Sequence, residues 1–341
     1  MKRADGLCAA NTQPQFPVRS NNDALSLHLF LFLSLAVLWS AEATAAGRTP
    51  VQQLARMADA LRSLSYEGTI VYLHDSKLET LRIVHHVEKG AVHEELISLN
   101  GPVRTLTREN GGVTCTLSGS RPISVHGHGV GKDMLHTWTL DPAALSDHYG
   151  VYPLGLARVA GRQTEVVGII PRDRLRYGYR FYLDQDSGLP LKSDLMGRQE
   201  GPIEQVMFTS LNLLPSQTPA PAAKGSQPGL LQSAAKSVSS DSLSWRFDSL
   251  PPGFVLVMRD NWLDGGGQPV EHFVLADGLA SISVYVESDP KEGLEGGTRI
   301  GAVHAAGHRV SGHQVTVVGE VPSETVEAVL AGIRHVPGGK R

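Results

Sequence analysis

The spacing of apolar and polar positions changes period several times along the 341-residue chain, and each change marks an element. Thr49-Pro50-Val51-Gln52 offers a capping hydroxyl, a proline at the first helical position and a glutamine three residues after the cap, so a helix starts there. Val51, Leu54, Ala55, Ala58 and Leu61 follow at helical spacing, and the helix is expected to end between Ser63 and Tyr66. From Tyr66 the period falls to two. Tyr66, Ile70 and Tyr72 then share one side of a strand. Leu81, Ile83 and His85 share one side of the next, with Arg82, Val84 and His86 opposite. Residues 92–99 make a third strand, and 103–107 pairs with 113–117 across the Asn110-Gly111 hairpin signal. Residues 118–156 are rich in Gly and His and weakly patterned, with a short helix suggested only at 141–148. Strands return at 165–170, 177–184 and 191–196, and Glu200-Gly201-Pro202 turns into a last one at 203–213. Consecutive strands joined by tight turns predict an antiparallel sheet.

The composition then shifts. Residues 215–240 are almost entirely Pro, Ala, Ser, Gln, Gly and Lys. Such a segment buries too little apolar surface to offset an ordering entropy of ~1–2 kcal/mol per residue, so it reads as a flexible linker. Beyond it, 243–247, 254–259, 269–276, 279–287, 300–304 and 314–319 read as strands. A helix is expected from Ser323 as its cap, with Val326, Val329, Leu330 and Ile333 on its buried face. The predicted organisation is a leader over 1–46, a first domain over 47–214, the linker, and a second domain over 241–337.

The leader rests on the uncharged, Leu- and Phe-rich stretch 25–39, which is shorter than the ~20 residues a spanning helix needs. Lys2, Arg3 and Arg19 precede it, and Ala43 and Ala45 supply a small-residue cleavage pattern. Cleavage after Ala45 or Ala46 and export are expected. The charge is nearly balanced, 31 Lys+Arg against 34 Asp+Glu, which argues against nucleic acid as a partner. Of two cysteines, Cys8 falls in the leader, so Cys115 has no intramolecular disulfide partner and reads as a buried, inert thiol.

Catalytic signatures are missing: there is no G-x-S-x-G, H-E-x-x-H or C-x-x-C. Residues 127–133 imitate a phosphate loop, but His126 stands where its first glycine belongs and Asp133 where its hydroxyl belongs. Among the histidines, His85 and His86 point to opposite faces, while His126 and His128 share one without an evident third ligand. No cofactor or metal is expected, and no enzymatic activity. What remains is apolar surface. Tyr177, Tyr179, Phe181 and Leu183 line one strand face, and Val206 and Phe208 oppose Met207 on the following hairpin. That surface is either a receptacle for acyl chains, each buried methylene contributing ~0.8 kcal/mol, or an ordinary core covered by the helix at 50–63.

Several segments, in order, resemble the MucB/RseB family. They are Leu64-Ser65-Tyr66-Glu67-Gly68-Thr69-Ile70-Val71-Tyr72, Leu81-Arg82-Ile83-Val84-His85, Leu99-Asn100-Gly101-Pro102 and the hairpin from Tyr182 to Leu191. Beyond the linker come Leu250-Pro251-Pro252-Gly253-Phe254, Asp277-Gly278-Leu279 with Ser283-Val284, and Val318-Gly319-Glu320-Val321-Pro322. The His-rich loop 124–136 and Gly265-Gly266-Gly267 do not match the pattern.

The resemblance implies an α+β protein: a strongly curved, open antiparallel sheet of the LolA type with helices, followed by a smaller antiparallel sheet with a helix. It also implies a periplasmic negative regulator of the sigma-E envelope-stress response. Such a regulator binds the periplasmic segment of a membrane anti-sigma factor, shields it from regulated proteolysis, and lets go when lipid or lipopolysaccharide arrives. Expected groove residues are Ile70, Tyr72, Leu81, Ile83, Tyr179, Phe181 and Met207. Candidate exposed anchors for the partner are Arg259, Trp262 and Phe273, Phe273 and the groove set reading equally as plain core, with self-association left open. The competing readings are a LolA-type periplasmic lipid or lipoprotein carrier and an exported metallohydrolase built on the histidines.

Overall fold

The computed structural model describes residues 48–88, 91–101, 104–109, 112–117, 123–126, 145, 147–198, 201–215, 244–263, 267–288 and 293–336. The expected leader, nearly all of the expected linker, the His-rich loop beyond His126, the Cys115 side chain and most of the helix expected at 141–148 lie outside them. Among the described residues no helix is long and apolar enough to cross a membrane.

Helix α1 (Pro50–Ser63) begins with the capping box that its first residues predict. The Gln52 N–H donates to Thr49 Oγ1 at 3.3 Å and the Thr49 N–H to Gln52 Oε1 at 2.9 Å. Two of the orphan donors of the first turn are thereby satisfied. Leu54, Met57, Ala60 and Leu61 form its buried stripe.

The stripe lies on an eleven-stranded antiparallel sheet. Its strands are β1 (Tyr66–His74), β2 (Lys77–Glu88), β3 (Ala91–Ser98), β4 (Arg104–Glu109), β5 (Gly112–Leu117), β6 (Ile123–His126), β7 (Tyr149–Val159), β8 (Arg162–Pro171), β9 (Gly178–Asp184), β10 (Pro190–Met196) and β11 (Pro202–Leu213). The spatial order is β6-β5-β4-β3-β2-β1-β11-β10-β9-β8-β7. The chain thus meanders outward to one edge, resumes at the opposite edge with β7, and returns until β11 pairs with β1. That closing pair runs from Tyr66↔Leu213 to His74↔Glu204, with a bulge at Thr69/Ile70. The sheet curls enough for β7 to approach β11, and α1 packs against β7 and β8. A polar contact also ties α1 to the sheet: buried His85 stacks on Tyr66 with centroids 4.7 Å apart. Its Nε2 lies 3.1 Å from the Leu61 carbonyl and its Nδ1 3.2 Å from Glu94.

The β9–β10 turn is held by a buried carboxylate. Arg162 donates Nε–H and an Nη2–H to Asp184, both at 2.8 Å, and Ser187 donates its N–H at 2.9 Å and its hydroxyl at 2.6 Å. Burial alone would raise the Asp184 carboxyl, but these donors outweigh it and hold the group below its ordinary 3.8. A depressed carboxylate stabilises the fold above its unfolded value and loses that contribution as the pH falls through the folded one. Acid titration of the native protein is therefore expected to show stability declining below about pH 4. Asp184→Asn is expected to be less stable at neutral pH and to show a flatter decline, as read by urea midpoints between about pH 2 and 7.

A six-stranded antiparallel sheet follows, made of β13 (Val255–Leu263), β14 (Pro269–Ala276), β15 (Ser281–Ser288), β16 (Gly296–Ile300), β17 (Val303–Val310) and β18 (His313–Gly319). Its order is β13-β14-β15-β18-β17-β16. A two-stranded ribbon of β12 (Trp245–Phe247) and β19 (Ile333–His335) accompanies helix α2 (Ser323–Gly332). Trp245, Phe254, Phe273, Val284, Val317, Val326 and Val329 belong to one buried cluster there. The α+β architecture is the one expected.

Three local expectations are corrected. Strand β7 was not foreseen, because Gly150, Pro153 and Gly155 break its alternation and its outer side chains Tyr152, Leu154 and Leu156 are exposed at a sheet edge. The strand expected at 300–304 is instead a turn at Gly301-Ala302 between β16 and β17, with Gly301 at φ +60°. Ser323 is not the cap of α2. Pro322 holds that position with no side-chain cap bond, and its carbonyl accepts the Thr325 N–H at 2.9 Å.

Candidate functional site

Six of the seven predicted groove residues fall on the inner face of the curled sheet; Met207, registered with Val71 between Val206 and Phe208, falls on the other face. Ile70, Ile83 and Phe181 are completely buried, Leu81 and Tyr179 nearly so, and Tyr72 and Met207 are half-buried against the same cluster. Tyr179 and Phe181 stack with centroids 5.5 Å apart. Leu54, Met57 and Leu61 of α1 belong to this cluster, so the face is a filled core and not an open groove. The physical reason is the stripe on α1, which supplies the apolar cover that a bare sheet would lack.

The partner candidates separate. Trp262 is 42% exposed on edge strand β13, beside Leu263 at 68%. Its ring sits edge-on to a parallel stack of His272 and Tyr285, whose centroids are 4.5 Å apart. Burial pushes the His272 imidazole below its ordinary 6.5, so it is neutral at pH 7. Arg259 is partly buried, donates to Glu271 at 2.9 Å and lies over the Phe273 ring at 5.9 Å. Phe273 itself is fully buried and meets Phe247 edge-on, so it is a core residue and not an exposed anchor. Its aromatic character suits an anchor or a core equally, and does not tell which side of β14 is covered by α2 and the ribbon.

Sequence reasoning missed the joint between the two sheets. Arg176 and Asp277 are both fully buried and meet at 2.7 Å. Arg176 also donates to Asp173 at 3.1 Å and to the Pro252 carbonyl, and its guanidinium lies 5.2 Å from the Phe254 centroid. The Tyr149 hydroxyl donates to Asp277 at 2.8 Å. The other Asp277 oxygen accepts the Leu279 and Ala280 N–H groups at 3.0 and 2.7 Å, an Asx turn that fixes the carboxylate. Nearby, the Thr325 hydroxyl donates to the Leu175 carbonyl at 2.7 Å. Leu279 and Ala302 of the second sheet are counted in the first sheet's core. An open cleft of about 580 Å³ borders the joint, lined by Pro171, Arg172, Asp173, Arg174, Leu175 and Glu324. Among the described residues no three His, Cys, Asp or Glu side chains are grouped to hold a metal ion. The Asp277-Gly278 turn signal was visible in the sequence, but nothing local tied it to Arg176.

The profile of the MucB/RseB N-terminal domain matches residues 49–228, and that of the MucB/RseB C-terminal domain matches 239–334. The chain belongs to the MucB/RseB family. Among MucB/RseB relatives, the sigma factor AlgU regulatory protein MucB of Pseudomonas aeruginosa is 35% identical over 318 residues, covering 89% of this chain and 96% of the relative. The sigma-E factor regulatory protein RseB of Escherichia coli is 27% identical over 305 residues, covering 88% of this chain and 94% of the relative. A crystal structure of MucB in complex with MucA(peri) superposes with a TM-score of 0.61 at 32% identity, over 84% of this chain and 99% of that one. Both halves of the MucB/RseB pattern are therefore present in one chain, in family order.

Proposed function

We propose that this chain is a periplasmic regulator of a sigma factor that binds the periplasmic segment of a membrane anti-sigma factor. It holds that segment away from proteolysis and releases it when an acyl chain of lipid or lipopolysaccharide enters between α1 and the eleven-stranded sheet. The observation that carries the reading is the end-to-end likeness to MucB, a protein solved with MucA(peri) on it. The half-exposed Trp262 over the His272–Tyr285 stack supports a binding role for the second sheet, since aromatic anchors dominate protein interfaces. An acyl chain gains ~0.8 kcal/mol per buried methylene, enough to compete with the Leu54, Met57 and Leu61 side chains for the inner face.

The test is calorimetric titration of the exported chain, 47–341, with a MucA periplasmic segment. Trp262→Ala is expected to lower the unfolding free energy by about 1 kcal/mol, because the half-exposed ring loses only its edge contacts with His272 and Tyr285. The same change is expected to weaken capture by about 30-fold or more, the mark of an interface anchor. No heat of binding with the wild-type chain would remove the reading. Unchanged affinity in the variant would remove Trp262 from it.

A further inference from the structure

We infer that the Gly301-Ala302 turn is the point through which the interior of the first sheet acts on the second, with Tyr72 and Glu204 as positioning residues. The inference rests on the lipid-release reading above and names the contact that would carry it. Two successive amides of the turn, donated by the second sheet, meet carboxylates of the first. The Gly301 N–H donates to Asp75 Oδ2 at 2.8 Å and the Ala302 N–H to Glu204 Oε1 at 2.9 Å. Glu204 is 3% exposed and Ala302 wholly buried, so water does not substitute for their bond, whereas Asp75 is exposed. The remaining Glu204 oxygen accepts the Tyr72 hydroxyl at 2.7 Å. Burial and the Glu204 carboxylate raise the Tyr72 phenol, which keeps it a donor across the physiological range.

The backbone is shaped to the same end. Asp75 and Ser76, the two-residue turn between β1 and β2, both lie in the left-handed region at φ 44° and 59°. That is the ordinary geometry of a two-residue type I′ hairpin turn, set by the His74↔Lys77 pair that it joins. Here the turn carries the Asp75 carboxylate to Gly301. Gly301 in turn has φ +60°, and a Cβ on it would stand 2.7 Å from Glu204 Oε1. The Gly301 side of the contact thus requires a residue without a side chain for the backbone to approach the carboxylate.

Tyr72 is where the contact meets the inner face. Its ring is half-buried against the cluster that α1 covers, while its hydroxyl orients Glu204. A guest that displaces α1 or the Tyr72 ring withdraws that hydroxyl. Glu204 then loses one of its donors, and its hold on the Ala302 N–H loosens. By linkage, whatever the guest does to the turn, a partner that needs the turn in place does in reverse to the guest.

The experiment is amide hydrogen exchange on the exported chain, with dodecanoate as the probe and native mass spectrometry to count bound acyl chains. In the wild type, bound dodecanoate is expected to speed exchange of the Ala302 amide about tenfold, with the β14 and β15 amides unchanged. Tyr72→Phe keeps the ring and its packing, so it is expected to fold normally and bind dodecanoate. Its Ala302 exchange should be fast from the start and gain nothing from the probe. Gly301→Ala should likewise be fast without probe. Dodecanoate that binds without altering Ala302 exchange, or a Tyr72→Phe protein indistinguishable from wild type, overturns the inference while leaving lipid binding intact. No bound dodecanoate on the mass spectrum overturns the lipid reading and this inference together.

Discussion

Replacing Arg176 by alanine is expected to lower the unfolding free energy by about 3–5 kcal/mol, the range for removing one member of a buried ion pair. The guanidinium and the Asp277 carboxylate are both shut off from water at 2.7 Å, so neither recovers solvation when its partner goes. Asp277 would keep the Tyr149 hydroxyl and two backbone amides, which places the loss nearer the lower end of that range. The Pro252 carbonyl and Asp173 would lose a donor as well. Arg174→Ala is the matched control. Arg174 is an exposed residue of the same loop, and its replacement is expected to change stability by less than about 0.5 kcal/mol. Guanidinium unfolding of both variants reads the difference. A loss below about 1 kcal/mol for Arg176→Ala would mean that the joint does not hold the sheets together.

Phe181→Ala is expected to cost a comparable 3–5 kcal/mol or so, because truncating a buried aromatic removes its transfer energy and leaves a cavity. The side chain is wholly buried in the cluster that α1 covers. Two pictures of the inner face separate on this number. A filled core, with Leu54 and Met57 packed over the sheet, pays the full penalty. An open groove already wetted or occupied by solvent has little packing to lose, and surface-like substitutions stay near 0.5 kcal/mol. The urea midpoint, with an unchanged m-value, is the readout. A small loss would restore the open groove that alternation in β9 allows.

Much of the fold is legible in the sequence because it is local. The Thr49–Gln52 box sets the start of α1, and the Asn110-Gly111 signal sets the register Glu109↔Gly112 of the β4–β5 hairpin. The period of two in β1, β2 and β9 puts Ile70, Ile83 and Phe181 on one face, which the structure gathers into one cluster. The features that escaped are non-local or edge features. Arg176 and Asp277 stand 101 positions apart, and Asp75 and Gly301 stand 226 apart, distances over which no period runs. Strand β7 hides because an edge strand needs no alternation to stay in place. Phe273 reads either as an anchor or as core because residue type alone says nothing of what covers its face of β14.

The function proposed above is that this chain holds an anti-sigma segment and gives it up to an acyl guest. Limited proteolysis of a MucA periplasmic segment, mixed with residues 47–341 and followed by mass spectrometry with and without dodecanoate, tests it most directly. The account predicts slow cleavage of the segment in the complex and fast cleavage once dodecanoate is added. Equal cleavage rates with and without the chain, or protection that dodecanoate leaves untouched, would contradict it.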